Sequence, residues 1–298
     1  MKILLTGGTG FIGSLLVKEL IQKEYHCYIV SRNKIESAIP QVTYLIWDEL
    51  TSNSFNETID VVINLAGESI NSGRWSNKTK DKILQSRIQS TSKLITWLER
   101  QAQRPNLFIN ASAIGYYGTS ESNTFTENDK PTPTDFLAET VSTWEHIAKK
   151  AEELGIRTVL ARFGIVLGLE GGALPKMILP YKLFIGGPIG NGSQWMSWIH
   201  VKDVIGLLLY SIENKEIHGP MNVVSPNPVT MKEFSQVLSR CLHRPNLLKV
   251  PEFALQILLG EMSMLILEGQ KVLPTIALQT NYNFQFPSLK DALAYTLK

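Results

Sequence analysis

The chain has 298 residues, 44% of them apolar and 19% charged, with a formal net charge of +2. That length and composition describe a soluble globular protein with a full core, and the near-neutral balance favours neither nucleic acid nor a membrane surface as partner. Two cysteines without a partner motif, Cys27 and Cys241, argue against a disulfide scaffold and suit a reducing compartment.

In chain order, the apolar run KILLT (2–6) leads through a glycine-rich turn into a helix over 11–23. Strands are predicted at HCYIVS (26–31), VTYLIW (42–47) and DVVINLAG (60–67), followed by a polar helix over 77–101. NLFINASA (106–113), a helix over 135–154 and RTVLARFGIVLG (157–168) complete the first half. Strands of continuous apolar character, alternating with helices, predict an α/β fold with a parallel sheet covered on both faces. Beyond residue 168 glycine and proline cluster, in GLEGGALPK (168–176), IGGPIGNGSQ (185–194) and HGPMNVVSPNPV (218–229), with helices near 230–243 and 252–267. This half is predicted to be a smaller α+β lobe over the carboxyl edge of the sheet, where ligands of such sheets bind. The division is 1–168 for the first domain, with 200–224 returning to it, and 169–298 for the lobe. FALQILLGEMSMLIL (253–267) falls short of the ~20 apolar residues of a membrane span and is predicted as a buried helix. MKILLT runs straight into a structural motif rather than a leader, so a cytoplasmic protein is expected. The five histidines never fall at metal-ligand spacing, so no metal is expected.

GGTGFIG (7–13) sits at the first strand-to-helix junction. Gly7 allows a sharp turn, Gly10 lets the backbone approach a pyrophosphate, and Gly13 lets the helix pack on the strand. The helix start, at Phe11 and Ile12, supplies N–H donors and positive dipole to phosphates. A dinucleotide site selective for NAD carries an acid about 20 residues further on. Here Ser31 and Arg32 stand there instead, and a hydroxyl beside a guanidinium suits a 2′-phosphate. NADP (as NADPH) is therefore favoured over NAD, against the alternative that Arg32 is a plain surface residue. Asp48 is placed to accept from an adenine amino group or to cap a turn. Leu65, Ala66 and Gly67 are small enough to lie against the adenosine half.

TGGTGFIG, NLAG (64–67) and SAIGYYG (112–118) together resemble the extended short-chain dehydrogenase/reductase superfamily, of NAD-dependent epimerase/dehydratase type. RW (74–75), SR (86–87), WE (144–145), RFGIVLG (162–168), GGPIGNGSQW (186–195), WIHVKDV (198–204) and GQKVLP (269–274) narrow the resemblance to its "epimerase family protein" subgroup. The resemblance implies a Rossmann-like doubly wound sheet, NADP binding, a family-specific C-terminal domain of unknown function at about 247–298, and a homodimer. Typical superfamily members carry a Tyr-x-x-x-Lys pair whose lysine lowers the tyrosine pKa for proton exchange. By counting from Glu145, those two positions fall on Leu137 and Val141, and the usual upstream asparagine falls on Arg87.

Ser112, Tyr117 (or its neighbour Tyr116) and Glu68 are the substitute catalytic candidates. Arg87 is a cofactor-side cation able to clamp an anion at the phosphates or the substrate, or to pair with a structural carboxylate. Trp195, Trp198 and His200 are the candidate substrate wall, His200 doubling as an acid–base candidate or a hydrogen-bonded structural residue. Asp203 reads as a helix-start carboxylate, and Arg162 as a loop anchor or a nicotinamide neighbour. Two readings follow: an NADP-dependent oxidoreductase or epimerase of a small, partly apolar substrate, and a non-catalytic NADP-sensing regulator, for example of cell division.

Overall fold

The computed structural model describes residues 1–52, 55–71, 73–130 and 135–298. Seven strands form the main sheet: β1 (Lys2–Thr6), β2 (His26–Ser31), β3 (Val42–Ile46), β4 (Val61–Asn64), β5 (Leu107–Ala113), β6 (Arg157–Phe163) and β7 (Gly219–Val223). All pairs are parallel and the order is 7-6-5-4-1-2-3, a doubly wound, Rossmann-like sheet. The order reverses between β1 and β4, opening a crevice at their carboxyl ends.

Central strands are apolar on both faces because helices cover both. Ile3, Leu5, Ile63 and Ile109 point into one core with helix α1 (Phe11–Gln22). Leu4, Val62 and Phe108 point into the other, beneath helices α2 (Asn77–Glu99) and α3 (Phe136–Ala148). The start of α2 is fixed by Ser76, whose hydroxyl accepts from the Thr79 amide. α3 begins at Asp135, whose carboxylate accepts from the Leu137 and Ala138 amides.

The apolar run 157–168 is two strands. Gly164 ends β6, and Ile165–Leu167 pairs instead with Trp198–His200. A Cβ at Gly164 would lie 2.4 Å from the Ser197 carbonyl oxygen, so this backbone approach requires glycine. Helix α4 (Leu174–Lys182) follows in the second half. Helix α5 (Val201–Glu213) then returns to the first core, and β7 completes the sheet edge. Helix α6 (Met231–Leu242) opens with a reciprocal Thr230–Glu233 capping box. It packs with α4 and the last helix, α8 (Leu289–Thr296), around Trp198, Phe234 and Leu293.

The predicted buried helix at 253–267 is corrected. Helix α7 (Glu252–Leu259) has no buried residue, and Phe253, Ile257 and Leu258 are exposed. Gly260, with φ of 60°, breaks it before a short 3-10 turn and the helix Met264–Leu267. The C-terminal segment is also not confined to the smaller lobe. Lys271–Val272 pairs with Thr124–Phe125, and Ala277 joins the core beside β7. Among the described residues, no helix is long and apolar enough to cross a membrane.

Candidate functional site

A cavity of about 600 Å³ opens at the crevice where the strand order reverses. At one end lies the β1–α1 turn. Gly7 has φ of 72°, and a Cβ there would lie 2.6 Å from the Leu65 carbonyl carbon. A Cβ at Gly13 would lie 2.2 Å from the Gly7 oxygen. Gly10 is different: a Cβ would meet only the Gly7 oxygen, at 3.3 Å, the rest of its surroundings being open. Gly10 caps α1 without any side-chain hydrogen bond. The Phe11, Ile12 and Gly13 amides have no acceptor among the described residues. Open space over a bare helix N-terminus is what a pyrophosphate needs. Leu65, Ala66 and Gly67 continue the same wall.

The expected adenosine end is less closely built. Ser31 is nearly buried and its hydroxyl donates to the Asn33 carbonyl, while Arg32 is exposed beside it. Asp48 is exposed in the short helix Trp47–Thr51 rather than in a loop. None of these three lines the enclosed part of the cavity.

At the other end, Leu137 and Val141 of α3 face the cavity where a tyrosine and lysine would otherwise stand. Ser112, at the carboxyl end of β5, also lines it, but its hydroxyl donates to Glu145 Oε1 at 2.6 Å. Both Glu145 oxygens accept from Arg162, at 2.8 and 2.9 Å, and this pair is buried. Arg162 Nη1 donates to the Tyr117 hydroxyl at 2.7 Å, which donates to Asn222 Oδ1 at 2.7 Å. Burial pushes the Tyr117 phenol up to about 12, against the pull of Arg162. Tyr117 is therefore a buried link to the sheet edge and does not line the cavity, contrary to its expected catalytic place. Tyr116 is buried too, its ring 3.5 Å below the Arg162 guanidinium. Arg162 anchors this network; it is not part of the cavity wall.

Glu68 lines the cavity directly after the Ala66–Gly67 turn, its amide donating to Ser86. Arg87 lines it from α2, donating from Nη1 to the Glu68 and Ile83 carbonyls. Burial pulls the Arg87 guanidinium down to about 10, Glu68 acting in the opposite sense.

Of the three substrate-wall candidates, only Trp195 faces the cavity, its indole N–H bonded to the Glu121 carbonyl. Trp198 is fully buried in the lobe core and bonded to the Asn227 carbonyl. His200 caps α5, Nδ1 accepting from the Lys202 amide, with Nε2 beside the Thr296 hydroxyl. Burial, with help from Lys202, lowers its pKa to about 4, so it is a neutral structural imidazole rather than an acid or base. Asp203 accepts from the Gln285 and Phe286 amides and pins the C-terminal segment to α5.

Sequence reasoning missed the roof. Met264, Leu265 and Gln270 close the cavity from the C-terminal segment, and Thr140 and Trp144 add to the α3 wall. Gln270 lies within GQKVLP and Trp144 within the WE pair, so both sat in motifs that were visible but had no position in space.

The profile of the NAD dependent epimerase/dehydratase family matches residues 3–224, and that of a domain of unknown function, DUF1731, matches 250–296. The chain belongs to the NAD dependent epimerase/dehydratase family. Within it, "Epimerase family protein YfhF" of Bacillus subtilis is 48% identical, covering 99% of this chain and 97% of the relative. "Epimerase family protein SSP1921" of Staphylococcus saprophyticus is 42% identical over 97% of each. Among solved structures, the human epimerase family protein SDR39U1 (isoform 2) with NADPH superposes with a TM-score of 0.91 at 34% identity, covering 99% of both chains. UDP-glucuronic acid 4-epimerase from Bacillus cereus, in complex with NAD, shares the fold at 20% identity and a TM-score of 0.77, over 99% of this chain and 96% of that one.

Proposed function

We propose that this family member binds NADP(H) and is an oxidoreductase or epimerase of a small, partly apolar substrate. The observation that carries the reading is the single cavity running from the Gly7–Gly13 turn past Ser112 to Trp195 and Met264. The turn and the free amides of Phe11, Ile12 and Gly13 hold the pyrophosphate, with Leu65, Ala66 and Gly67 against the adenosine side. Ser31 and Arg32 favour a 2′-phosphate, and the NADPH in the human relative supports that choice. Bound NADP(H) supplies hydride exchange at its nicotinamide. Leu137, Val141 and the Met264–Leu265 roof keep water from that end. Ser112 lines the cavity as a hydroxyl already committed to Glu145, and Glu68 lines it as one of its carboxylates.

Titration with NADPH and NADH, following nicotinamide fluorescence, tests the cofactor. NADPH should bind more tightly than NADH, and Arg32→Ala should erase that preference. If neither nucleotide binds, the reading fails. The regulatory alternative gains from the apolar Leu137 and Val141. It predicts that Ser112→Ala and Glu68→Gln leave the cellular effect intact, whereas an enzyme loses turnover with at least one of them.

A further inference from the structure

Two groups on the cavity wall are left with open polar chemistry. Arg87 makes no ion pair among the described residues, and only its Nη1 is hydrogen-bonded, to two carbonyls. Its guanidinium carbon lies 5.1 Å from the Trp144 ring centroid and packs against Gly67, where a Cβ would come within 3.3 Å. The guanidinium is half-buried, and Glu68 acts on its charge only through space, so no carboxylate among the described residues contacts it. The second group is Thr140, which is 3% exposed. Its Oγ1 is the one buried side-chain polar atom without a hydrogen-bond partner among the described residues. Thr140 and Trp144 are one helical turn apart on the same face of α3, and both line the cavity with Arg87. The indole is itself fixed, donating to Thr91 Oγ1 at 2.8 Å.

We propose that Arg87 and Thr140 form a subsite for a single carboxylate on a substrate whose body is apolar. The inference rests on the reading above, in that the substrate shares the cavity with the cofactor. Among the described residues, Arg87 is the only lysine or arginine on this wall, whereas Glu68, Asp135 and Glu268 also line it. One guanidinium edge and one unpartnered hydroxyl offer donors for the two oxygens of a single carboxylate. Leu137, Val141, Met264 and Leu265 offer the remainder of the substrate an apolar surface.

The test uses full-length protein saturated with NADPH and a panel of aromatic and aliphatic carboxylates, benzoate first, each paired with its neutral amide. Calorimetry should show at least one carboxylate binding about tenfold or more tightly than its amide, as charge-assisted hydrogen bonds give. Arg87→Met should abolish that preference, and Arg87→Lys should restore part of it. Thr140→Val should weaken carboxylate binding about tenfold without lowering the melting temperature, since it removes an unpaired hydroxyl. That combination separates a ligand contact from a packing role. If Arg87→Met instead weakens NADPH binding tenfold or more, the guanidinium belongs to the cofactor phosphates and the proposal is wrong. It is equally wrong if no carboxylate in the panel outbinds its amide on loaded protein. Should NADPH itself not bind wild type, the cofactor reading falls separately, and the same panel on the free protein judges the subsite.

Discussion

At the residue scale, the strongest feature is the buried chain Ser112–Glu145–Arg162–Tyr117–Asn222. Ser112, Tyr117 and Arg162 were visible as candidates, but their roles and the parts of Glu145 and Asn222 were not, because the partners lie 33, 17, 45 and 105 residues apart in sequence. Local pattern reports residue type and spacing; a contact between β5 and α3 depends on the whole sheet. A carboxylate buried between two donors tolerates no loss of its cation. Arg162→Met should therefore destabilise the protein by about 3–5 kcal/mol in urea denaturation, whereas Ser112→Ala should cost about 1 kcal/mol. Equal effects of the two would mean that the Glu145–Arg162 pair contributes no more than a single neutral hydrogen bond. His200 gives a pH signature of its own. Its folded pKa, about 4, lies below the ordinary 6.5, so the unfolded chain takes up the proton first. The stability it contributes is present above pH 6.5 and is lost as pH falls towards about 4. His200→Asn keeps an N-cap acceptor for the Lys202 amide without titrating. Melting curves of this variant should show a shallower loss between those two pH values than wild type.

At the element scale, the sheet was legible strand by strand because parallel strands covered on both faces must be apolar throughout, as in KILLT and VVIN. The same reasoning failed at 253–267. An apolar run states that burial is favourable, not which neighbour supplies it, and among the described residues no element packs over Phe253, Ile257 or Leu258 of α7. Gly260 then turns the chain so that Met264 and Leu265, not α7, reach the cavity. The two short stretches differ in energetic weight accordingly. Ile257→Lys, on a side chain 72% exposed, should change stability by no more than about 0.5 kcal/mol. Leu293→Ala, fully buried in α8 against α6, should cost about 2–5 kcal/mol. Comparable losses in the two variants would mean that a partner covers α7 in solution.

At the scale of the whole molecule, the C-terminal segment joins the cofactor sheet to the cavity roof. Glu127 accepts from the Asn222 amide on β7 and from the Thr275 and Ile276 amides at the start of the helix Thr275–Gln279. Ser197, beside the β6 end, accepts from the Val272 amide and donates to the Gln270 carbonyl. The roof residues Met264, Leu265 and Gln270 are thus tethered on one side while their other side faces the cavity. A ligand that fills the cavity gains contacts with two segments about 250 residues apart, the turn at 7–13 and the roof at 264–270. Binding at a hundredfold excess over Kd should add about 2.7 kcal/mol to the unfolding free energy. Hydrogen exchange should slow at both segments, because each loses its route to local opening. Gly13→Ala places a Cβ against the Gly7 oxygen and disrupts the cradle, so it should remove the protection at both places together. Protection confined to 7–13 in the wild-type protein would show that NADPH lies in the cradle without reaching the roof. The C-terminal segment would then close over the substrate alone.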